Sequence, residues 1–142
     1  MPLLYFPIQY AVKTHDKIIE ISGGLLGIKD IGNLESPLGH IQNDDYYPEL
    51  EDKITHLVFS INKNHAFNDG NKRTSIAMGA FFLELNGLDI YVPKFIREME
   101  NIAVHVADNR IGKELLNEII TSIIYEDEFS EELKLKIIES IS

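Results

Sequence analysis

Residues 71–85, Asn-Lys-Arg-Thr-Ser-Ile-Ala-Met-Gly-Ala-Phe-Phe-Leu-Glu-Leu, decide the fold. From Ile76 to Leu83 the side chains are apolar around the whole helical circumference, which marks a helix enclosed by other helices. Asn86-Gly87 supplies its stop. Immediately upstream, residues 65–70 read His-Ala-Phe-Asn-Asp-Gly, a turn-forming run that sets an imidazole and a carboxylate ahead of the helix N-terminus. Lys72 and Arg73 then put two cations in the first turn. Positive charge there opposes the helix dipole unless an anion occupies the end, so the arrangement points to a phosphate.

Working outward, the pattern is helical throughout. Ala11–Ser22 predicts a first helix, with Ile18, Ile19 and Ser22 at helical spacing and Gly23-Gly24 as its stop. Residues 27–47 are rich in Gly, Asn, Asp and Pro and read as loops around one short helix at Ser36–His40, with room for a flexible flap. Pro48, followed by Glu49 and Glu51, opens the next helix, whose buried stripe is Ile54, Leu57, Val58 and Ile61. Four residues on, His65 is expected to leave that helix on its inward side, facing the following loop. Downstream, Leu88–Val92 reads as an extended link and Pro93 opens a helix with Ile96, Met99, Ala103 and Val106 inward. Ile111–Tyr125 carries Leu115, Leu116, Ile119, Ile120, Ile123 and Ile124 on one face. Ser130 caps a last helix with Leu133, Ile137, Ile138 and Ile141. The expectation is one all-α domain over residues 1–142, a bundle around the buried 71–85 helix.

The 142 residues include no cysteine, which excludes disulfides and thiolate metal sites. No apolar run reaches the length of a membrane span, and the opening Met1-Pro2-Leu3-Leu4-Tyr5-Phe6 lacks the plan of a signal peptide, so a cytoplasmic, non-membrane protein is expected. A formal net charge of -10 argues against a general affinity for nucleic acid. Within that acidic field a small basic pocket suits a phosphorylated small ligand.

Residues 65–74 carry the chemistry. Asn68, Asp69, Gly70 and Asn71 tolerate left-handed backbone angles, so consecutive N–H groups can turn inward as an anion-binding nest. Asp69 is the loop's single carboxylate, and Mg2+ characteristically bridges one or two carboxylates and substrate phosphates. Lys72 as a point charge and Arg73 as a fork can neutralise a phosphoryl group in transfer. The His65 imidazole can accept the proton of an attacking hydroxyl. Phe67 is assigned to the core. Taken singly, each polar residue has a blander reading: Asn68 or Asp69 as a helix cap, Lys72 and Arg73 as solvated charges, His65 as an ordinary histidine. Their coincidence in one loop before a buried helix favours the site. Of the other histidines, His15 beside Asp16 reads as local helix hydrogen bonding, His56 lies on an exposed helix face, His40 is in a loop and His105 adjoins a core stripe. None forms a metal-ligand pair.

His65-Ala-Phe-Asn-Asp-Gly-Asn-Lys-Arg73 resembles the Fic/Doc signature His-x-Phe-x-(Asp/Glu/Asn)-(Gly/Ala)-Asn-(Gly/Lys)-Arg at all seven constrained positions. His15-Asp16, the Gly23–Ile28 run, Asn33–Ser36 and Phe82–Gly87 are similar to the death-on-curing (Doc) branch, over residues 10–125. Lys72 is the branch point, since family members that transfer AMP have glycine there. The resemblance implies a toxin kinase that binds ATP in the reversed sense and moves its γ-phosphate to a threonine or serine hydroxyl, with translation elongation factor Tu as target and a separate antitoxin as inhibitor. By position it implies His65 as base, Asp69 as Mg2+ ligand, Arg73 as a further catalytic group, and Asn68, Gly70, Asn71, Lys72 and Arg73 as ATP-binding residues. Gly70, where Doc has alanine, is a tolerated departure. The fold implied is the Fic/Doc helical bundle, with a possible short β-hairpin flap. Fic-type adenylyl transfer and a catalytically silent nucleotide- or partner-binding module are the alternatives. Ser122–Glu126 partly matches the family's inhibitory-helix pattern, but Ile123 and Ile124 complete a core stripe, which favours control by another protein.

Overall fold

The computed structural model describes residues 2–142. Along them run the helices α1 (Ile8–Ser22), α2 (Gly32–His40), α3 (Leu50–Asn64), α4 (Asn71–Leu85), α5 (Val92–Ala107), α6 (Lys113–Tyr125) and α7 (Glu131–Ile141). The all-α expectation holds, and the buried side chains of these helices form one cluster. Among the described residues the one extended pairing is an isolated antiparallel bridge between Ile28 and Phe67, so the possible β-hairpin flap is not formed.

The centre is a pair. α4 packs on α1, α3 and α5, while α3 packs on α2, α4, α5 and α6. The α3 stripe Ile54, Leu57, Val58 and Ile61 is fully buried, as its spacing predicts. Where α4 crosses its neighbours the backbones approach closely: a Cβ at Gly79 would fall 2.7 Å from Phe95 Cζ and 2.8 Å from Val58 Cγ2. A side chain is missing from α4 because its neighbours occupy the space.

Several boundaries and phases differ from the sequence expectation. α1 begins at Ile8, directly after Pro7, and its buried line is Ala11, His15 and Ile19, while Ser22 is exposed. α2 begins at Gly32, four residues before the expected start, because the Asp30 carboxylate accepts the Gly32 N–H at 3.0 Å and opens the turn that buries Leu34. Pro37, expected next to the start at Ser36, therefore lies well inside the helix. α3 starts after Glu49, whose N–H is taken by the Asp52 carboxylate at 3.1 Å, leaving Pro48 outside. Leu88–Val92 is not extended, since Asp89–Tyr91 forms a 3-10 turn. That turn sets the phase of α5 so that Phe95 is buried and Ile96 exposed. α6 starts at Lys113, two residues after the expected Ile111. Ser130 caps α7 by accepting the Leu133 N–H at 3.1 Å, but Leu133 is its sole fully buried residue and Ile138 faces solvent.

His56 is buried, contrary to its assignment to an exposed face. Its Nδ1 accepts from Lys113 Nζ at 2.6 Å, its Nε2 lies 3.1 Å from His40 Nδ1, and the Tyr47 ring stacks on it at 4.3 Å. Burial, followed by the charges of Lys113 and His40, pushes its imidazole down to about 4. Lys53 is also buried, with Nζ 2.6 Å from Ile41 O and 2.7 Å from Asp44 Oδ1, so it fastens the α2–α3 connection.

Candidate active site

The motif loop fills the turn from α3 into α4. His65 ends α3 in a left-handed conformation (φ 50), and Gly70 begins α4 in another (φ 78). The first bend breaks the helical phase that would have carried His65 inward, so its imidazole is exposed, without a hydrogen-bond partner among the described residues. Between the bends, Ala66 and Phe67 are buried and anchor the loop in the core.

Asn71 holds the loop shut from within. Its Oδ1 accepts the Phe67 N–H at 3.1 Å and its Nδ2 donates to Phe67 O at 2.9 Å, with the side chain buried. Its amide is therefore spent on the backbone, and it faces an anion with its own N–H. That N–H and those of Lys72 and Arg73 have no acceptor among the described residues, and the helix has no side-chain cap and no acid in its first turn. They are the open positive end of α4. Lys72 and Arg73 are exposed beside it. Arg73 makes one long contact, Nη2 to Gly23 O at 3.5 Å.

Asp69 is partly exposed, with Oδ2 accepting the Leu25 N–H at 3.1 Å and Oδ1 the Gly70 N–H at 2.8 Å. The Leu25 and then the Gly70 hydrogen bonds, with Arg73 and His15 adding positive charge, hold its carboxyl below the usual carboxylate range. Each oxygen keeps a free lone pair, so the group remains able to bind a hard cation. Asn68 donates its N–H to Gly27 O at 3.1 Å and its Nδ2 to Leu26 O at 3.3 Å. Lys29 and Asp30 donate to Ala66 O. Residues 23–30 thus lie across the loop as an exposed strap, fastened by the polar side chains assigned to the site. The sequence placed a flap in residues 27–47; the segment over the loop starts earlier, at Gly23.

One residue of the site was missed. His15 reaches from α1 to place Nε2 2.6 Å from Asp69 O, with Nδ1 3.2 Å from Asp16 Oδ1 and its ring stacked on Phe67 at 3.7 Å. The signal in the sequence was its phase, four residues after Ala11 and four before Ile19 on the buried line. Among the described residues no cluster of three metal-ligating side chains occurs, and no helix is long and apolar enough to cross a membrane.

One loop thus sets an uncapped helix N-terminus with two cations, a carboxylate and an exposed imidazole side by side, and residues 5–83, which contain it, match the model of the Fic/DOC family. The chain belongs to the Fic/DOC family. It is 36% identical to the protein kinase doc of Escherichia phage P1 over 84 residues, 56% of this chain and 66% of that protein. It is 36% identical to the toxin Doc of Mycolicibacterium smegmatis over 89 residues, 60% of this chain and 68% of the relative. The chain thus spans just under two thirds of the phage protein's length. The matched residues 5–83 contain the whole motif loop and its strap, and leave out α5, α6 and α7.

Proposed function

We propose that the protein is a Doc-like toxin kinase that transfers the γ-phosphate of ATP to a threonine or serine hydroxyl of a protein. The observation that carries this reading is the open end of α4: unpaired N–H groups flanked by Lys72 and Arg73 in a chain of net charge -10. Such an end binds a polyphosphate and has no evident use without one. In this reading the N–H groups of Asn71, Lys72 and Arg73, with the Gly70 turn and Asn68 at its edge, hold the phosphates. The Lys72 and Arg73 side chains spread the charge of the phosphoryl group in transfer. Asp69 would hold Mg2+, which when bound neutralises phosphate charge. His65, exposed and unpartnered, accepts the proton of the acceptor hydroxyl as its oxygen attacks.

The names of the two relatives support a toxin and a kinase. From the resemblance of the motif loop to the Doc branch we further propose an antitoxin as inhibitor, elongation factor Tu as target and the cytoplasm as compartment. Incubation with cell extract and ATP labelled on either the α- or the γ-phosphate tests the reaction. Label from the γ position on a protein is the expected result, abolished in His65→Ala by at least about 100-fold. Label from the α position would establish adenylyl transfer instead. ATP binding without either label would leave a silent binding module.

A further inference from the structure

We infer that His15 is a positioning residue for Asp69: the imidazole sets the peptide plane on which the aim of that carboxylate depends. The inference rests on the role given to Asp69 above. A carbonyl oxygen only accepts, so at 2.6 Å from Asp69 O the Nε2 atom of His15 carries the proton and donates. The Asp69 C=O and the Gly70 N–H are the two ends of one planar peptide. His15 holds the first end, and the Asp69 carboxylate itself accepts from the second at 2.8 Å. Rotation of that peptide therefore swings the N–H away from Oδ1 and removes one of the carboxylate's two anchors, leaving the Leu25 N–H on Oδ2 as the other.

His15 is fully buried and lies flat on Phe67, with ring planes 5° apart, so the donor cannot drift. On the same side a Cβ at Gly70 would fall 2.9 Å from Ile19 Cδ1 and 3.5 Å from His15 Nε2, so the turn rests directly against these two residues of α1. Among the described residues, the bond from His15 is the one side-chain hydrogen bond from α1 into the loop. A phenylalanine would fill the same space and stack equally well. The polar contact accounts for a histidine there.

Two amides separate the bond from the ring. Glutamine places its nitrogen near the position of Nε2 and asparagine near that of Nδ1, and both lose the stack. In γ-phosphate transfer assays, His15→Asn is expected to raise the Mg2+ concentration for half-maximal rate by about 10-fold or more, with a smaller change in the KM for ATP. His15→Gln is expected to recover most of that loss. The carbonyl 13C resonance of Asp69 should move in His15→Asn and return in His15→Gln. Should the amides unfold the protein, His15→Phe keeps the stack, breaks the bond and is expected to behave as His15→Asn. Equal Mg2+ dependence in the broken and rescued variants, or an Asp69 carbonyl resonance indifferent to all of them, overturns the inference. If the resonance moves as expected while the parent protein transfers no phosphate, the reaction proposed above fails and the link from His15 to Asp69 stands.

Discussion

Lys72 shows how a single residue's energetics separate the empty from the occupied site. It stands exposed in a first turn that contains no acid, next to N–H groups without acceptors. The free protein therefore carries an unfavourable charge–dipole interaction that the proposed polyphosphate would reverse. Lys72→Ala is expected to raise the stability of the free protein by about 0.3–1 kcal/mol and to reduce the extra stabilisation by ATP and Mg2+. Thermal unfolding with and without nucleotide measures both; a free variant less stable than the parent contradicts the expectation. Asn71 shows the limit of reading residues alone. Its amide was as plausible a phosphate ligand as its neighbours' groups, but it is consumed by the backbone of Phe67. A sequence shows which donors exist, not which of them the fold has already used. The same limit hid the burial of His56 and the reach of His15, since a histidine at a core phase is silent about its partner.

Elements were legible where their apolar pattern is long. The α3 stripe is buried as read, and on α6 Leu116, Ile119, Ile120, Ile123 and Ile124 are buried with Leu115 partly so, while Ile76, Ala77 and Phe81 leave one side of α4 partly exposed. Short or punctuated segments were less legible: the 3-10 turn at Asp89–Tyr91 replaced the expected extended link and turned Phe95, not Ile96, inward, although Met99, Ala103 and Val106 are buried as read, and Asp30 began α2 ahead of its proline. Gly79 is the most sensitive point of the element packing. A methyl there meets Phe95 and Val58 at less than 3 Å, so Gly79→Ala is expected to destabilise the protein by about 1–3 kcal/mol despite alanine's higher helix propensity. Urea unfolding checks the sign, which propensity alone would make positive.

At the scale of the molecule, the cluster of His40, His56, Lys113 and Tyr47 ties α2, the α2–α3 connection, α3 and α6 together. His56 titrates at about 4 in the folded chain against an ordinary 6.5, so the unfolded chain binds the extra proton first. Its contribution is complete above pH 6.5 and is lost as the pH falls towards 4, by roughly 2–3 kcal/mol in all. Urea unfolding across that range, compared with His56→Phe, should show the variant's curve the flatter of the two. Lys113 belongs to α6, beyond the residues that match the family, so the C-terminal helices brace the connection between α2 and α3.

The strap gives the molecule a further property. Its peptide groups at Gly23 and Leu25 occupy the guanidinium and the carboxylate that a guest would claim. A guest that drew both side chains away would leave residues 23–30 fastened to the loop by their ties to Ala66 and Asn68 alone, so the stretch at Gly23–Leu25 would be the first to loosen.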